Sequence, residues 1–153
     1  MEQTDLSHSG EPFGVALVPL NLVPVIWPRV AEIMEANPPE RSPFFSTIPQ
    51  AFQTVMNAKA NLWIGGYGSG LDIVLMGTIV DYPAARGYIV NYVGGKFLRA
   101  TLKHWPKLEQ FAAAQGCTHI EMVTRPGIVR LMRRYGFEPL ATYSCKSIWP
   151  QLN

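Results

Sequence analysis

Gly116–Lys146, GCTHIEMVTRPGIVRLMRRYGFEPLATYSCK, is the stretch from which the rest of the chain can be ordered. Thr118–Thr124 is a short apolar run bounded by turn signals, which predicts a buried strand. Arg125-Pro126-Gly127 turns the chain. Ile128–Tyr135 predicts a short basic helix, and Gly136 is its left-handed stop. Thr142–Ile148 predicts a last strand, after which Trp149–Asn153 trails off.

Upstream, Lys96–Gln115 places Phe97, Leu98, Leu102, Trp105, Leu108, Phe111 and Ala112 on one helical stripe. Gly94-Gly95 opens this helical region, Pro106 predicts a kink near His104-Trp105, and Gly116 ends it. Tyr88–Val93 (YIVNYV) reads as the strand before it. Strand, helix and strand in this order predict one parallel crossover. Leu62–Tyr67 and Ile73–Val80 flank a glycine-rich loop, and Asp81–Gly87 turns the chain into Tyr88–Val93. These three strands form an antiparallel meander.

The N-terminal third is rich in proline. Phe13–Val18 is a candidate first strand, and Pro19–Leu22 turns the chain. Val23–Ala36 carries Val23, Ile26, Trp27, Val30, Ile33 and Met34 on one helical face. Pro24 suits its first turn, whereas Pro28 predicts a kink or a restart. Asn37–Pro43 is a loop, and Pro49–Ala58 predicts a second helix with Phe52, Val55 and Met56 inward. Met1–Pro12 is polar and aperiodic and reads as a flexible tail, leaving residues 13–153 as a single domain.

Composition narrows the class. A chain of 153 residues suits one domain. At that length about two-thirds of the unfolded surface can be buried, so no disulfide or metal staple is needed. The net charge of +2 is too small to argue for nucleic acid. No apolar run approaches the ~20 residues of a membrane span, and no secretory leader precedes the tail. A cytoplasmic protein is expected, with Cys117 and Cys145 as reduced, buried thiols. His8, His104 and His119 are scattered and no Cys-x-x-Cys occurs, so no metal is expected. Gly66-Tyr67-Gly68-Ser69-Gly70 is followed by no helix and lacks the phosphate-binding mechanism of a glycine loop.

The order strand, helix, helix, three strands, helix, strand, helix, strand is that of a mixed α/β sheet with helices on both faces. Together with the ending strand-helix-Tyr135-Gly136-Phe137-Glu138-strand, it resembles the GNAT-type N-acyltransferases. The resemblance covers Phe13–Ile148 as topology and is specific in sequence from Gly94 onward. It implies a mostly antiparallel sheet with one parallel, splayed strand pair. It also implies transfer of an acetyl or longer acyl group from coenzyme A to an amine, with acetyl-CoA as cofactor. The pattern around Val93-Gly94-Gly95 and Tyr135-Gly136-Phe137 is closer to the divergent GNAT-like proteins of tailed bacteriophages. That raises a second role: a catalytically degenerate structural or internal-virion component, binding a phage structural protein or itself.

The resemblance also distributes roles. The cofactor would sit between Tyr88–Val93 and Thr118–Thr124. Tyr92, Val93, Gly94, Gly95, Lys96 and Arg99 would meet it, with the pyrophosphate cradled by backbone N–H groups at a helix start. Phe97 and Leu98 stand where the family has small residues, so a turn with Phe97 packed in the core stays open. Aligning on Gly136-Phe137 puts Met132 at the family's tyrosine acid and Arg125 at its asparagine; Met132 has no proton to give. By the resemblance Tyr135 is the candidate substitute acid, with packing beside Phe137 open as its other reading, and Arg125 a candidate cofactor contact. Strand alternation puts His119, Glu121 and Arg125 on one face, making Glu121 the candidate base for the amine. Pairing of Glu121 with Arg125 or His119 on a solvated face stays open beside that role. Asp81 and Tyr82 are candidates for a substrate rim, and Arg130, Arg133, Arg134 and Lys146 extend a basic cluster.

Overall fold

The structure, a computed structural model, describes residues 10–39, 47–142, 144, 146 and 148. The chain divides into two compact units, Met1–Val123 and Thr124–Asn153.

The first unit is built on a five-stranded sheet in the order β1-β2-β3-β4-β5. Its strands are β1 (Phe13–Leu17), β2 (Asn61–Tyr67), β3 (Ile73–Asp81), β4 (Arg86–Gly95) and β5 (His119–Met122). The first three junctions are antiparallel and β4–β5 is parallel, as the crossover reading requires. The helices are α1 (Val23–Ala36), α2 (Ile48–Met56), α3 (Leu98–Leu102) and α4 (Trp105–Ala114).

Alternation along the strands divides the core between two faces. Leu62, Val74, Met76 and Tyr92 pack with Val23, Val30, Ile33 and Met34 of α1 and with Ala51 and Val55 of α2. On the other face the rings of Trp63 and Tyr88 each meet Phe111 of α4 edge-on, with centroids 5.5 Å apart. The first part of β3, Ile73–Met76, is buried on both sides, which explains its unbroken apolar run.

Helix boundaries follow local chemistry, and several differ from the sequence expectations. α1 runs through Pro28 without a break. Pro28 forgoes one helical hydrogen bond, but Val23 before it and Val30, Ile33 and Met34 after it are all buried in one core, which holds the helix together. α2 starts where the Thr47 hydroxyl accepts from Gln50 N–H (3.2 Å), with Pro49 in its first turn. The region after β4 is two helices, not one. Phe97, at φ +65°, delays α3 to Leu98, and Pro106 sits in the first turn of α4, so it begins a helix where a kink was expected. Gly116, at φ +81°, ends α4 as anticipated. β5 is shorter than Thr118–Thr124 and only half-buried; among the described residues it is the outer strand.

In the second unit α5 spans Pro126–Met132, continues as a 3₁₀ turn Arg133–Tyr135 and stops at Gly136 with φ +88°. Thr142, Ser144, Lys146 and Ile148 lie outside any strand, and the rest of the expected last strand, with Cys145, falls outside the described residues. So do residues 1–9 of the expected tail.

Tyr88 lies fully buried behind β4. Its hydroxyl accepts from Trp63 Nε1 (2.9 Å) and donates to Asn61 Oδ1 (3.2 Å), and Gly77 leaves room for the ring. Burial pushes the phenol well above the ordinary tyrosine range, while the Trp63 bond acts the other way. A folded-state pKa raised in this way stabilises the fold fully below about pH 10. Above it, the unfolded chain sheds a proton that the native chain keeps. The Tyr88 contribution should therefore fall with rising pH by up to about 1.4 kcal/mol per pH unit. Tyr88→Phe should flatten that decline in urea unfolding between about pH 9 and 11. At neutral pH it should cost about 1–3 kcal/mol, because the Trp63 indole loses its acceptor. An unchanged slope would contradict the assignment.

Candidate functional site

β4 and β5 pair only from Gly87↔His119 to Val90↔Met122, closed by Val123 N–H on the Val90 carbonyl (3.2 Å). β4 then continues through Asn91–Gly95, paired with β3 alone among the described strands. The parallel pairing thus ends at Val90, because β5 itself ends at Met122. A register shift lies at that point: Tyr92 faces Met76 and Val90 faces Gly77, so Asn91 has no opposite residue. This bulge reverses the alternation. Tyr88 packs on the α4 side, whereas Tyr92, four residues on, packs on the α1 side with its hydroxyl donating to Asn37 O (2.7 Å).

At the far end of β4 lies the glycine turn. A side chain at Gly94 would collide with the Tyr92 hydroxyl, and Gly95 sits at φ +124° against the Asp72 carbonyl. Lys96 N–H donates to that carbonyl (2.8 Å). The ring of Phe97 turns to Tyr67 and Phe13, with centroids 5.0 and 6.4 Å away. Phe97 thus packs against these rings while staying half-buried. The N–H groups of Leu98, Arg99 and Ala100 open α3 and have no intrahelical acceptor. Lys96 and Arg99 are exposed beside them, while Val93 is half-buried opposite Leu75. The Tyr92 side chain is committed to the core, which leaves only its backbone for a ligand.

Within the pairing, Glu121 stands opposite Ile89, one pair before the ladder ends. Its Oε2 accepts from the Tyr82 hydroxyl (2.7 Å) and meets His119 Nε2 (3.0 Å). His119 Nδ1 lies 3.1 Å from Thr118 Oγ1, and its ring stacks on Tyr82 at 6.1 Å. A Cβ on Gly87 would come within 2.7 Å of both Glu121 Oε2 and His119 Nε2, so this pairing needs glycine there. The Glu121 side chain remains about 35% exposed, open to a reactant. The Glu121 hydrogen bond holds the Tyr82 phenol above the usual tyrosine range, and burial and the nearby carboxylate charge add to it.

The candidates named from sequence are thus partly brought together. Glu121 and His119 share a face, and Tyr82 joins them more closely than a rim residue would. Asp81 does not: it is bound by Arg86 across the hairpin, with Nε 2.6 Å from Oδ1. Arg86 NH1 also donates to Gln115 O (2.9 Å). Burial raises the half-buried Cys117 thiol, against the pull of Arg86. Arg125 lies beyond β5, as the N-cap of α5 in the second unit, and so leaves the strand face expected for it. Tyr135 ends the 3₁₀ turn there and is 40% exposed. Among the described residues no three His, Cys, Asp or Glu side chains converge as a metal site, and no helix is long and apolar enough to cross a membrane.

Asn91 went unread in the sequence. Its Nδ2 donates to Thr78 Oγ1 (3.1 Å), and its buried Oδ1 has no hydrogen-bond partner. One carboxamide inside the run YIVNYV was the available signal.

The sequence matches no protein-family model and no curated protein. The fold, by contrast, is shared with solved acetyltransferases. An aminoglycoside acetyltransferase, HMB0005, from an uncultured soil metagenomic sample superposes with a TM-score of 0.66 at 13% identity, over 90% of this chain and 99% of that one. The glucosamine-6-phosphate N-acetyltransferase of Arabidopsis thaliana gives 0.65 at 8% identity, over 90% and 99%. A predicted acetyltransferase from Clostridium acetobutylicum, solved with acetyl-CoA, gives 0.59 at 12% identity, over 92% and 96%. The chain has the fold of the GNAT acetyltransferases, with the mixed sheet and single parallel pair expected of it.

Proposed function

We propose that this protein is an acyl-CoA-dependent N-acyltransferase. The observation that carries the reading is the end of β4–β5 pairing at Val90, beyond which β4 runs on through Asn91–Gly95 to a glycine turn and a helix start. These residues fit the cofactor. Lys96, Arg99 and the N–H groups opening α3 would hold the pyrophosphate. The outer edge of β4 would take the amide-bearing arm. Acetyl-CoA, when bound, supplies an acyl group as a thioester.

The remaining work falls to the chain. Glu121, held by Tyr82 and His119, accepts the proton that the amine loses. Much of the acceleration comes from holding amine and thioester together. The roles that the resemblance gives Arg125 and Tyr135 are tested by Arg125→Ala and Tyr135→Phe in the assays below.

Calorimetric titration with acetyl-CoA, followed by thiol release with spermidine, kanamycin, glucosamine 6-phosphate and alanyl-alanine, tests the proposal. At about 100 times the dissociation constant, acetyl-CoA should add about 2.7 kcal/mol of stability. No heat and no thermal shift at millimolar acetyl-CoA would end the enzyme reading. The second reading, a virion or self-associating component that has lost catalysis, is favoured by Met132 at the family's tyrosine position. It would then be pursued through oligomeric state and phage structural proteins.

A further inference from the structure

The charge of this chain is unevenly placed. Thr124–Asn153 holds Arg125, Arg130, Arg133, Arg134 and Lys146 against one acid, Glu138, so Met1–Val123 carries more acids than bases within a total of +2. Arg130, Arg133 and Arg134 stand three and four positions apart along α5 and the 3₁₀ turn that continues it, which makes them neighbours on one face. All three are exposed, and none takes part in a hydrogen bond or ion pair among the described residues. The other side of the helix is apolar: Met132 is buried, and Ile128 and Leu131 are half-buried. Like charges at this spacing repel. A helix C-terminus favours cations in its last turn, but it supplies no counter-ion for three of them.

We propose that this face binds a single-stranded nucleic acid, with Arg130, Arg133 and Arg134 each taking a backbone phosphate. The proposal stands apart from the N-acyltransferase reading. A guanidinium meets two phosphate oxygens at once through parallel N–H groups, a match that an ammonium lacks. Every cation of α5 and its 3₁₀ continuation is an arginine. Guanidinium planes also stack on bases, as aromatic rings do, and Tyr135, at the end of the same turn, is 40% exposed. Unpaired bases offer those faces and a duplex hides them, which selects a single strand. An anionic membrane fits less well, because the apolar side that would enter it is the covered side of the helix. An acidic peptide would make no use of the exposed ring.

Fluorescence anisotropy of the full chain with an end-labelled oligouridylate of about twelve nucleotides tests the proposal. A dissociation constant of about 1–100 μM is expected at about 50 mM salt. The logarithm of the binding constant should fall against that of salt with a slope of about −2, each of the three phosphates contributing about −0.7. The triple variant Arg130→Gln, Arg133→Gln, Arg134→Gln should bind at least about tenfold more weakly and lose that slope. Its Tm should stay within about 3 °C of the parent. The triple variant to lysine keeps the charge, so it should keep the slope and bind about threefold more weakly. No binding by the parent, or a glutamine variant that binds as the parent does, overturns the proposal. Displacement of the oligonucleotide by excess acetyl-CoA assigns the arginines to the cofactor's phosphates and overturns it too. So does tighter binding to a duplex of the same length, to polyglutamate or to phosphatidylglycerol vesicles. Should the glutamine variant fail to fold, the lysine variant decides: affinity equal to that of the parent removes the guanidinium contacts and overturns the proposal.

Discussion

Gly95→Ala is expected to lower stability by about 3–5 kcal/mol. Two costs combine. At φ +124° an L-residue is strained by about 1–3 kcal/mol. The new methyl would also collide with the Asp72 carbonyl and lie 2.8 Å from Ile73 Cα. These are backbone atoms of β3 and the loop before it, so neither can swing aside as a side chain would. Overpacking of that kind adds about 1–3 kcal/mol. Relief by moving the turn would break the bond from Lys96 N–H to Asp72 O. Gly116→Ala is the control: its φ is +81°, but nothing lies within 4 Å of the added carbon, so about 1–2 kcal/mol is expected. Urea unfolding of both variants separates contact from conformational strain. Equal losses would show that Asp72 gives way.

Glu121→Gln is expected to slow amine acylation by about 10²–10⁴-fold. The amide keeps the size of the side chain and still accepts from Tyr82, but it cannot take a proton. Acetyl-CoA affinity should stay within about twofold, because Glu121 lies within the β4–β5 pairing and the glycine turn beyond its end. Single-turnover rates at saturating acetyl-CoA, set beside calorimetric affinity, separate the two quantities. A rate reduced less than threefold would make the carboxylate a brace between β5 and the β3–β4 hairpin.

Much of the fold was legible because its signals are local. YIVNYV, the apolar run Leu62–Tyr67 (LWIGGY) and the helical stripe of α4 each carry a local signal. Gly116 and Gly136 announced the helix ends they make. Long-range packing was less legible. Pro28 was read from its local cost, yet buried residues on either side carry α1 through it. Pro106 marked a break near His104-Trp105, and the helical region does divide there, with α3 ending at Leu102 and Pro106 in the first turn of α4; the left-handed Phe97 that delays α3 had no sequence signal. In the site, Glu121 and His119 followed from strand alternation, which holds over β5. Arg125 did not, because the strand ends at Met122. Tyr82 arrives from a hairpin distant in sequence, and Asn91 depends on a register shift that no single-strand pattern reveals.

The reversal at Asn91 gives β4 two anchorages. Its first half is pinned through Tyr88 to Trp63 and Phe111. Its second half is moored through Tyr92 to the carbonyl of Asn37, at the end of α1. Two tyrosines four residues apart on one strand thus tie it to opposite layers of the fold, Tyr88 to the α4 layer and Tyr92 to the end of α1.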